Sequence, residues 1–567
     1  MADEHFLESL VQQLKAKLPS GGISFNRNEK HSDEDVLLCN REAIPDVFQS
    51  LHKEFPFLMD VCGVDYPKRD QRFDVVYHLA DLEKKRRLRI KTQVAEGDSV
   101  PSVIGTYKSA DWFEREAYDM FGIRFSGHPN LQRILCHNDF VGHPLRKDYR
   151  ADQNQSLRTP MEHTFEKDRA RMMQEEEDHL SDKVWINIGP AHPATHGTLR
   201  FMAVLEGEVI QDVDLEIGYL HRCFEKMAET HRYNQIIPYT DRLNYCSAPI
   251  NNSAWCRTVE KMLGIQAPPR AQVIRVILDE FSRCIDHFVC TITNALDLGG
   301  MTNFWLGFRA REAVYDLFEK LCGARLTVSL ARVGGLGFDL PKGWVQQAKE
   351  TCDIILQAHQ EVGNLCTKNR IFVNRMVGVT AISAEDAVNW GYTGPCLRAA
   401  GVARDLRIDQ PYSMYEEFDF DIPIGSRGDA YDRYMVRMEE ILQSVKIIRQ
   451  ALDNIPEGPI AVDDPTISLP SKKDVYGNIE GLMNQFMLVI NDVQPEPGEV
   501  YSATEGANGE LGFYVVSDGT GKPYRVKCRP PCFALFQAFP QLLKGHMIGD
   551  LIAALGSINI IAGELDR

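Results

Sequence analysis

The sequence predicts a multidomain α+β protein, in which a small N-terminal α+β domain is joined to a larger, mainly helical domain with β-hairpins. Three observations predict this class. The 567 residues are more than one domain of roughly 150 residues usually holds. Strand and helix patterns mix early in the chain, whereas helical spacing dominates its middle. With 44% hydrophobic and 25% charged residues, the composition is that of a globular protein and excludes disordered, collagenous and disulfide-stapled classes.

Residues 1–149 form the predicted N-terminal domain. Apolar residues at helical spacing predict a helix over 6–14, and short apolar or alternating runs predict strands at 73–79 and 88–94. An amphipathic segment at 112–121 is followed by a polar stretch at 127–149. The charged residues of the amphipathic segment predict an exposed or interface-facing helix face: Glu114, Arg115, Glu116 and Asp119.

Residues 150–183 are the predicted linker, because the sequence there is polar and carries an acidic run at 175–178. The second domain, 184–567, opens with an alternating segment at 184–188, a loop of Gly, Pro and His at 189–197, and a strand at 199–205. This order predicts a β-hairpin.

The rest of the second domain is predicted to be helical and then to return to strands. One helix is marked by apolar positions from Leu220 to Ala228, another covers 273–296, and a third ends at Gly323. Asp429 is the predicted N-cap of a helix that extends to about residue 452 and buries a stripe of Met and Tyr. Strands are expected at 500–504, 511–516 and 524–528.

Charge and apolar patterning restrict the partners. The formal charge of -17 argues against a surface that follows nucleic-acid phosphates, so we expect no nucleic acid. No apolar stretch reaches the ~18–20 residues of a membrane span, and the first residues lack the order of a signal peptide. We therefore expect a chain in the cytoplasm, with its 14 scattered cysteines reduced.

Common catalytic motifs are absent from the sequence. It contains no phosphate-binding glycine loop, no nucleophile elbow and no zinc-protease helix, so nucleotide binding, serine hydrolysis and zinc proteolysis lose their usual support. There is no C-x-x-C pair, and a Pro-Pro step between Cys528 and Cys532 disfavours a shared metal. We expect two buried thiols there and no metal held by this chain.

Three segments carry candidate chemistry. Loop 189–197 holds His192 and His196, which could hydrogen-bond or protonate a ligand; two loop histidines satisfied by backbone carbonyls remain the alternative. Segment 239–245 ends with Tyr245, which could donate a phenolic proton, although a buried and satisfied tyrosine is the alternative. The long helix carries a polar stripe of Glu280, Arg283 and His287 and ends with Asp297. An internal ion-pair network is the alternative there, and it is favoured for Glu280 and Arg283 more than for Asp297.

These segments make the sequence recognisable. Ile-Gly-Pro-Ala-His-Pro-Ala-Thr-His-Gly at 188–197, Gly-Tyr-Leu-His-Arg at 218–222, Tyr-Thr-Asp-Arg-Leu-Asn-Tyr at 239–245 and Gly-Glu-Leu-Asp-Arg at 563–567 closely resemble the D subunit of the proton-pumping NADH:quinone oxidoreductase, respiratory complex I. Upstream, Trp-Phe-Glu-Arg-Glu-Ala-Tyr-Asp-Met-Phe-Gly-Ile at 112–123 is similar to the C subunit. The whole chain thus resembles a fusion of the C and D subunits of this family.

The resemblance implies a fold and a site. The D part would share the fold of a nickel-iron hydrogenase large subunit that has lost its metal-binding cysteines. It would form a quinone chamber with the neighbouring subunit that holds the terminal [4Fe-4S] cluster, coupled to proton translocation. His196 and Tyr245 match residues that hydrogen-bond the quinone head group, and Asp297 matches the acid that pairs with that histidine. His192 matches the other loop histidine, and Arg222 matches an arginine near the cluster.

The resemblance also implies partners and a location. We expect contacts with the B-type and I-type iron-sulfur subunits, the membrane-arm H-type subunit and the G-type peripheral-arm subunit, on the cytoplasmic face of the bacterial inner membrane. Two other classes compete: a membrane-bound hydrogenase subunit, which requires the paired cysteines that are absent, and a docking scaffold without chemistry, which suits the C part better than the D loop.

Three departures from the family pattern stand out. Cys223 occupies a position where a glycine is common, and residues 557–562 replace the usual Asp-Pro-Val-Met type. Thr327 stands where many members have a histidine that tunes the cluster with pH, so the resemblance does not carry that tuning to this chain.

Overall fold

The computed structural model describes residues 2–18, 22–26, 36–153, 155 and 183–567. Most of the predicted linker at 150–183 therefore lies outside the described residues. Its last residue, Lys183, already begins a strand.

A five-stranded sheet forms the centre of the N-terminal part, in the order β1-β2-β5-β4-β3. Strands β3, β4 and β5 are antiparallel, whereas β2 runs parallel to β5. The elements are helices α1 (Ala2–Lys17), α2 (Ile44–Leu51) and α3 (Ala110–Phe121) and strands β1 (Ser24–Asn26), β2 (Val36–Leu38), β3 (Phe57–Asp65), β4 (Phe73–Asp81), β5 (Arg86–Val94), β6 (Ser99–Pro101) and β7 (Arg124–Ser126). The predicted helix and both predicted strands are confirmed.

Two antiparallel three-stranded sheets belong to the second part. One contains the predicted hairpin, in the order β10-β9-β8, and the other has the order β13-β14-β15. Their strands, with a small additional pair, are β8 (Lys183–Ile188), β9 (Arg200–Glu206), β10 (Val209–Glu216), β11 (Ala331–Arg332), β12 (Gly335–Leu336), β13 (Gly498–Glu505), β14 (Glu510–Ser517) and β15 (Arg525–Arg529).

Helices fill the rest of the second part. They are α4 (Phe224–Thr230), α5 (Tyr233–Thr240), α6 (Ala248–Leu263), α7 (Pro269–Asp297), α8 (Met301–Cys322), α9 (Trp344–Cys366), α10 (Arg370–Met376), α11 (Ala384–Asn389), α12 (Gly394–Ala399), α13 (Leu406–Asp409), α14 (Ala430–Asp453), α15 (Lys472–Gly477), α16 (Ile479–Asn491), α17 (Pro531–Gln537), α18 (Phe539–Leu543), α19 (Ile548–Ile558) and α20 (Ala562–Asp566). Helix α7 is central and packs against α6, α8, α14 and α19. Leu220 lies outside α4, so the helix predicted around it begins four residues later.

The predicted helix boundaries and polar stripe have clear physical causes. Gly323, at φ 80°, ends α8 in the left-handed conformation, and the Asp429 carboxylate accepts the amide of Asp432 as the N-cap of α14. On α7, Glu280 lies 3.2 Å from Arg283 and 3.1 Å from Arg407, which confirms the internal ion-pair network.

The charged face of α3 is buried, so the prediction of an exposed face is wrong. Glu116 accepts hydrogen bonds from Lys527 at 2.6 Å and from Arg567 at 2.9 Å, and therefore does face an interface, within the chain. Asp119 instead accepts three backbone amides at 134–136 and the guanidinium of Arg133. Each carboxylate is buried because it has partners that replace water.

The two parts of the chain share a core. Strands β3 and β4 are buried along their whole length, since Phe57 and Met59 pack with Tyr501 and Tyr514 of the second part. Within the described residues, no helix combines the length and apolarity that a bilayer crossing requires.

Candidate functional site

Loop 189–197 connects β8 to β9 and is fixed by its own backbone contacts. A Cβ atom on Gly189, at φ 93°, would lie 1.8 Å from the carbonyl oxygen of Leu199, so only glycine fits there. The Thr195 hydroxyl lies 2.7 Å from the carbonyl of His192 and 2.6 Å from that of Gly197. His192 is exposed, and its Nδ1 accepts the amide of Ala194 at 3.2 Å.

His196 is held against the end of the long helix. Its Nε2 lies 2.5 Å from Oδ2 of Asp297, the last residue of α7. The side chains of His196 and Asp297 are 21% and 18% exposed, so the pair lies at the protein surface with one side open to solvent. A carboxylate in this position orients the imidazole ring.

Tyr245 begins a short 3₁₀ turn, Tyr245–Ser247, that packs against α7. The side chain of Asn244 caps this turn by accepting the amide of Cys246 at 3.2 Å. Tyr245 is 39% exposed, and none of the described residues hydrogen-bonds its hydroxyl. Partial burial raises the pKa of Tyr245 to about 12, which keeps the phenol protonated and available as a donor.

The C-terminal helix α20 joins the two candidate segments. Gly197 approaches Ala562 so closely that a Cβ on the glycine would lie 2.8 Å from the alanine methyl. Gly563 faces the carbonyls of Arg242 and Leu243, which a Cβ would meet at 2.7 and 2.9 Å. One short helix therefore contacts both the loop of His196 and the segment that leads to Tyr245.

Arg222 lies beside Gly563 of α20, next to the carbonyl of Arg242. Its amide donates to the carbonyl of Arg567 at 3.0 Å, and its guanidinium donates to the carbonyl of Arg242 at 2.9 Å. Burial, with Arg242 nearby, lowers the pKa of Arg222. In the described part of the chain these contacts join Arg222 to the C-terminus rather than to His196 or Tyr245.

Asp566 anchors the segment around Arg222. Its carboxylate accepts the amides of Gly218 at 3.0 Å and Leu220 at 2.8 Å. Burial raises the pKa of Asp566 to about 6, and the two amide hydrogen bonds oppose that shift. The conformation of the segment at 218–222 thus depends on the closing residues of the chain.

The departures from the family pattern have visible local consequences. Cys223 adopts φ 54° as the N-cap of α4, a left-handed conformation that glycine would adopt without steric cost. Asn559 adopts φ 63° at the end of α19, and its buried amide donates to Asp286. Thr327 is half-buried in the loop after α8.

Sequence reasoning missed Asp566, Asn244 and Asp286. Their hydrogen bonds support the segments that carry Arg222 and Tyr245. A carboxylate on the apolar helix α7 was the available signal for Asp286, because a buried charge needs partners. Over the described residues, no three His, Cys, Asp or Glu side chains are grouped as metal ligands, and the cysteines are free.

Comparison with known proteins identifies the family. Residues 297–567 match the 49 Kd component of the respiratory-chain NADH dehydrogenase, and residues 37–155 match its 30 Kd component. The NADH-quinone oxidoreductase C/D subunit of Bdellovibrio bacteriovorus is 54% identical over 564 residues, which cover 99% of this chain and 100% of the relative. The chain belongs to the family of NADH-quinone oxidoreductase C/D subunits.

Other relatives agree with this family. The NADH-quinone oxidoreductase D subunit of Myxococcus xanthus is 52% identical over 390 residues, 69% of this chain and 94% of the relative. The C/D subunit of Ectopseudomonas mendocina is 39% identical over 581 residues, 99% of this chain and 97% of the relative. The predicted resemblance to complex I is confirmed, and this C/D subunit is part of an oxidoreductase complex whose other subunits are its partners.

Proposed function

We propose that this C/D subunit forms the quinone-reduction chamber of complex I, together with the adjacent iron-sulfur subunit of the peripheral arm. The observation that carries the proposal is the His196–Asp297 pair at 2.5 Å, tied through α20 to a tyrosine whose hydroxyl has no hydrogen bond from the described residues. Two proton donors whose segments contact the same helix suit a substrate with two carbonyl oxygens.

Quinone reduction requires two electrons and two protons. In this proposal the neighbouring [4Fe-4S] cluster, held by the partner subunit, supplies the electrons. Protonated His196 donates to one carbonyl oxygen and stabilises the negative charge that develops there, while Asp297 holds the imidazole in orientation. Tyr245 donates its phenolic hydrogen to the head group. His192 contributes a further polar contact at the exposed edge of the loop.

The remaining parts of the proposal concern the assembly. Arg222 lies near the partner's cluster, where its positive charge favours an electron-rich centre. The D-like part shares the fold of a nickel-iron hydrogenase large subunit. The B-type, I-type, H-type and G-type subunits are the contacting partners, on the cytoplasmic face of the bacterial inner membrane, and quinone reduction is coupled to proton translocation.

A photoreactive quinone tests the site directly. We expect an azido-quinone whose reactive group is on the ring to label the assembled complex within residues 189–197 or 239–247, as mapped by mass spectrometry of the digested protein. Excess unlabelled quinone should suppress that labelling. Competable labelling of this chain only outside both segments would overturn the proposal.

A further inference from the structure

Six buried polar side chains form one hydrogen-bonded chain behind the Tyr245 turn. Each is at most 5% exposed, and they come from the turn itself, α7, the β13–β14 connection, α17 and the C-terminal segment: Asn244, Asp286, Asn559, Asn508, Cys532 and Glu564. A buried network of this kind holds its members in place only while every partner is satisfied.

Asp286 is the central member of the chain. Its Oδ2 accepts the amide of Asn244 at 2.6 Å, and its Oδ1 accepts the amide of Asn559 at 2.6 Å. None of the described cationic side chains forms an ion pair with Asp286. Two asparagine amides therefore compensate the burial of this carboxylate, and the loss of either would leave it with an unsatisfied oxygen.

The two asparagines lead to the two halves of the proposed quinone site. Asn244 precedes Tyr245, caps its turn, and also accepts the side-chain amide of Asn251 at 2.9 Å on its carbonyl. Asn559 lies three residues before Ala562, the residue against which Gly197 of the histidine loop packs. Asp286 thus connects the backbone of Tyr245 with the segment that supports His196.

We propose that Asp286 and Asn559 are positioning residues of the quinone site, forming a carboxylate–amide clamp that holds the Tyr245 turn and the His196 loop at a fixed separation. This inference rests on the proposed function. A carboxylate at position 559 would face the carboxylate of Asp286, whereas the amide of Asn559 donates a hydrogen bond to it.

The remaining members of the hydrogen-bonded chain, Asn508, Cys532 and Glu564, also stabilise Asn559. Asn559 also donates to the side-chain oxygen of Asn508 at 2.7 Å, and the thiol of Cys532 donates to Glu564 at 2.6 Å. Burial raises the pKa of Glu564 to about 7, opposed by the hydrogen bonds from Cys532 and Asn508. The negative charge of Asp286 acts to raise the pKa of six titratable groups around it: Tyr245, Cys246, His287, Cys290, Cys532 and Glu564.

The test exchanges the two ends of the clamp in the assembled complex. We expect Asp286→Asn and Asn559→Asp each to lower quinone-reductase kcat between about 10- and 100-fold per assembled complex, because a displacement of about 1 Å in a catalytic group has effects of this size. Electron transfer to an artificial acceptor that bypasses the quinone chamber should stay unchanged. The double variant Asp286→Asn/Asn559→Asp recreates the carboxylate–amide pair but loses the donation to Asn508, so it should recover part of the lost activity.

Two further measurements separate positioning from general destabilisation. In Asn559→Asp, two adjacent carboxyls cannot both ionise without repulsion, so its defect should grow as pH rises, while the defect of Asp286→Asn should not. Asp279→Asn is the matched control: the same change, on the same helix, at a residue that is 2% exposed and accepts the Ser253 hydroxyl at 3.0 Å. It should keep nearly full quinone activity per assembled complex.

The outcomes distinguish this inference from the proposed function. A double variant no more active than the single ones, or a control as impaired as Asp286→Asn, would overturn the clamp even if photolabelling places quinone at the site. Absence of site labelling in the native complex would overturn the proposed function itself. If the single variants do not assemble, Asn559→Ser, which keeps one donor of the two, should still lower quinone kcat without affecting the artificial acceptor; unchanged kcat would refute the clamp.

Discussion

Removing the Tyr245 hydroxyl is the most direct perturbation of the proposed chamber. Tyr245→Phe keeps the ring and its packing, and the described residues make no hydrogen bond to the lost hydroxyl, so we expect assembly and stability to change little. The loss of one donor to a developing negative charge costs about 2.7–4 kcal/mol, or about 10²- to 10³-fold in rate. We therefore expect quinone reduction to fall by that factor while transfer to an artificial acceptor is retained.

The pKa of Tyr245 gives this prediction a pH signature. Because burial raises that pKa to about 12, the neutral donor form persists through neutral and moderately alkaline pH. The ratio of native to variant activity should then stay constant from about pH 6 to about pH 9, below the pKa at which the phenol would lose its proton. The experiment measures quinone reductase with short-tailed and long-tailed quinones at each pH.

A matched tyrosine in the same segment serves as the control. The hydroxyl of Tyr239 lies 3.3 Å from Nε2 of His231, within the chain, so Tyr239→Phe should leave quinone reduction nearly intact. Full quinone activity in Tyr245→Phe, or equal loss with quinone and artificial acceptor, would show that Tyr245 does not contact the head group.

Two further predictions concern the ion pair and the chain connection. Asp297→Asn removes a charge-assisted hydrogen bond worth about 1.5–3 kcal/mol, so quinone reduction should fall between about 10- and 100-fold. Its effect should overlap with that of His196→Ala rather than add to it, as a double-variant cycle would measure; additive losses would mean that the two side chains act separately. Splitting the chain within residues 156–182 into two co-expressed pieces should preserve assembly, because Glu116 contacts Lys527 and Arg567 across the two parts; failure of two soluble pieces to copurify would contradict this.

Much of the fold follows from local patterns. The N-cap at Asp429, the stop at Gly323 and the hairpin around loop 189–197 are each determined by neighbouring residues, and all three are confirmed. Strand β3 (Phe57–Asp65) was not predicted, although β4, which is equally buried, was. Asp60 and Gly63 interrupt the apolar residues of β3, and its burial on two faces leaves no alternation by which to recognise it despite them.

The charged face of α3 shows the same limit for polar residues. Local spacing places Glu116 and Asp119, three residues apart, on one side of α3 and Glu114 on another, but it does not indicate what covers them. The partners of Glu116 lie hundreds of residues away in sequence, whereas the partners of Asp119 lie in a nearby loop. Whether a carboxylate faces water or a guanidinium is decided by the tertiary fold, so the sequence alone left an exposed and an interface-facing environment both open.

The candidate site depended on resemblance more than on pattern. His196 and Asp297 lie 101 residues apart in sequence, and nothing in their spacing predicts an ion pair. The resemblance gave these residues and Tyr245, but it gave neither Asp286 nor the closing contacts of α20. Asp286, as a carboxylate on an apolar helix, indicates that it needs partners but not which ones, and the asparagines carry no signal until the fold brings them together.

Backbone conformation adds a feature that residue types conceal. His196, Cys223 and Asn559 adopt φ values of 53°, 54° and 63°, in the left-handed region, which side chains other than those of glycine, asparagine and aspartate seldom occupy. Cys223 lies at the start of α4, Asn559 lies at the end of α19, and His196 lies in the loop that contacts α20. Such conformations cost of order 1–3 kcal/mol and persist where surrounding contacts determine them.

For His196 those contacts are visible: the Thr195 hydroxyl donates to the loop carbonyls, Gly197 packs against Ala562, and Asp297 holds the imidazole. The imidazole is therefore directed by the backbone as well as by its carboxylate, which is the rigidity that donation to one defined oxygen atom requires.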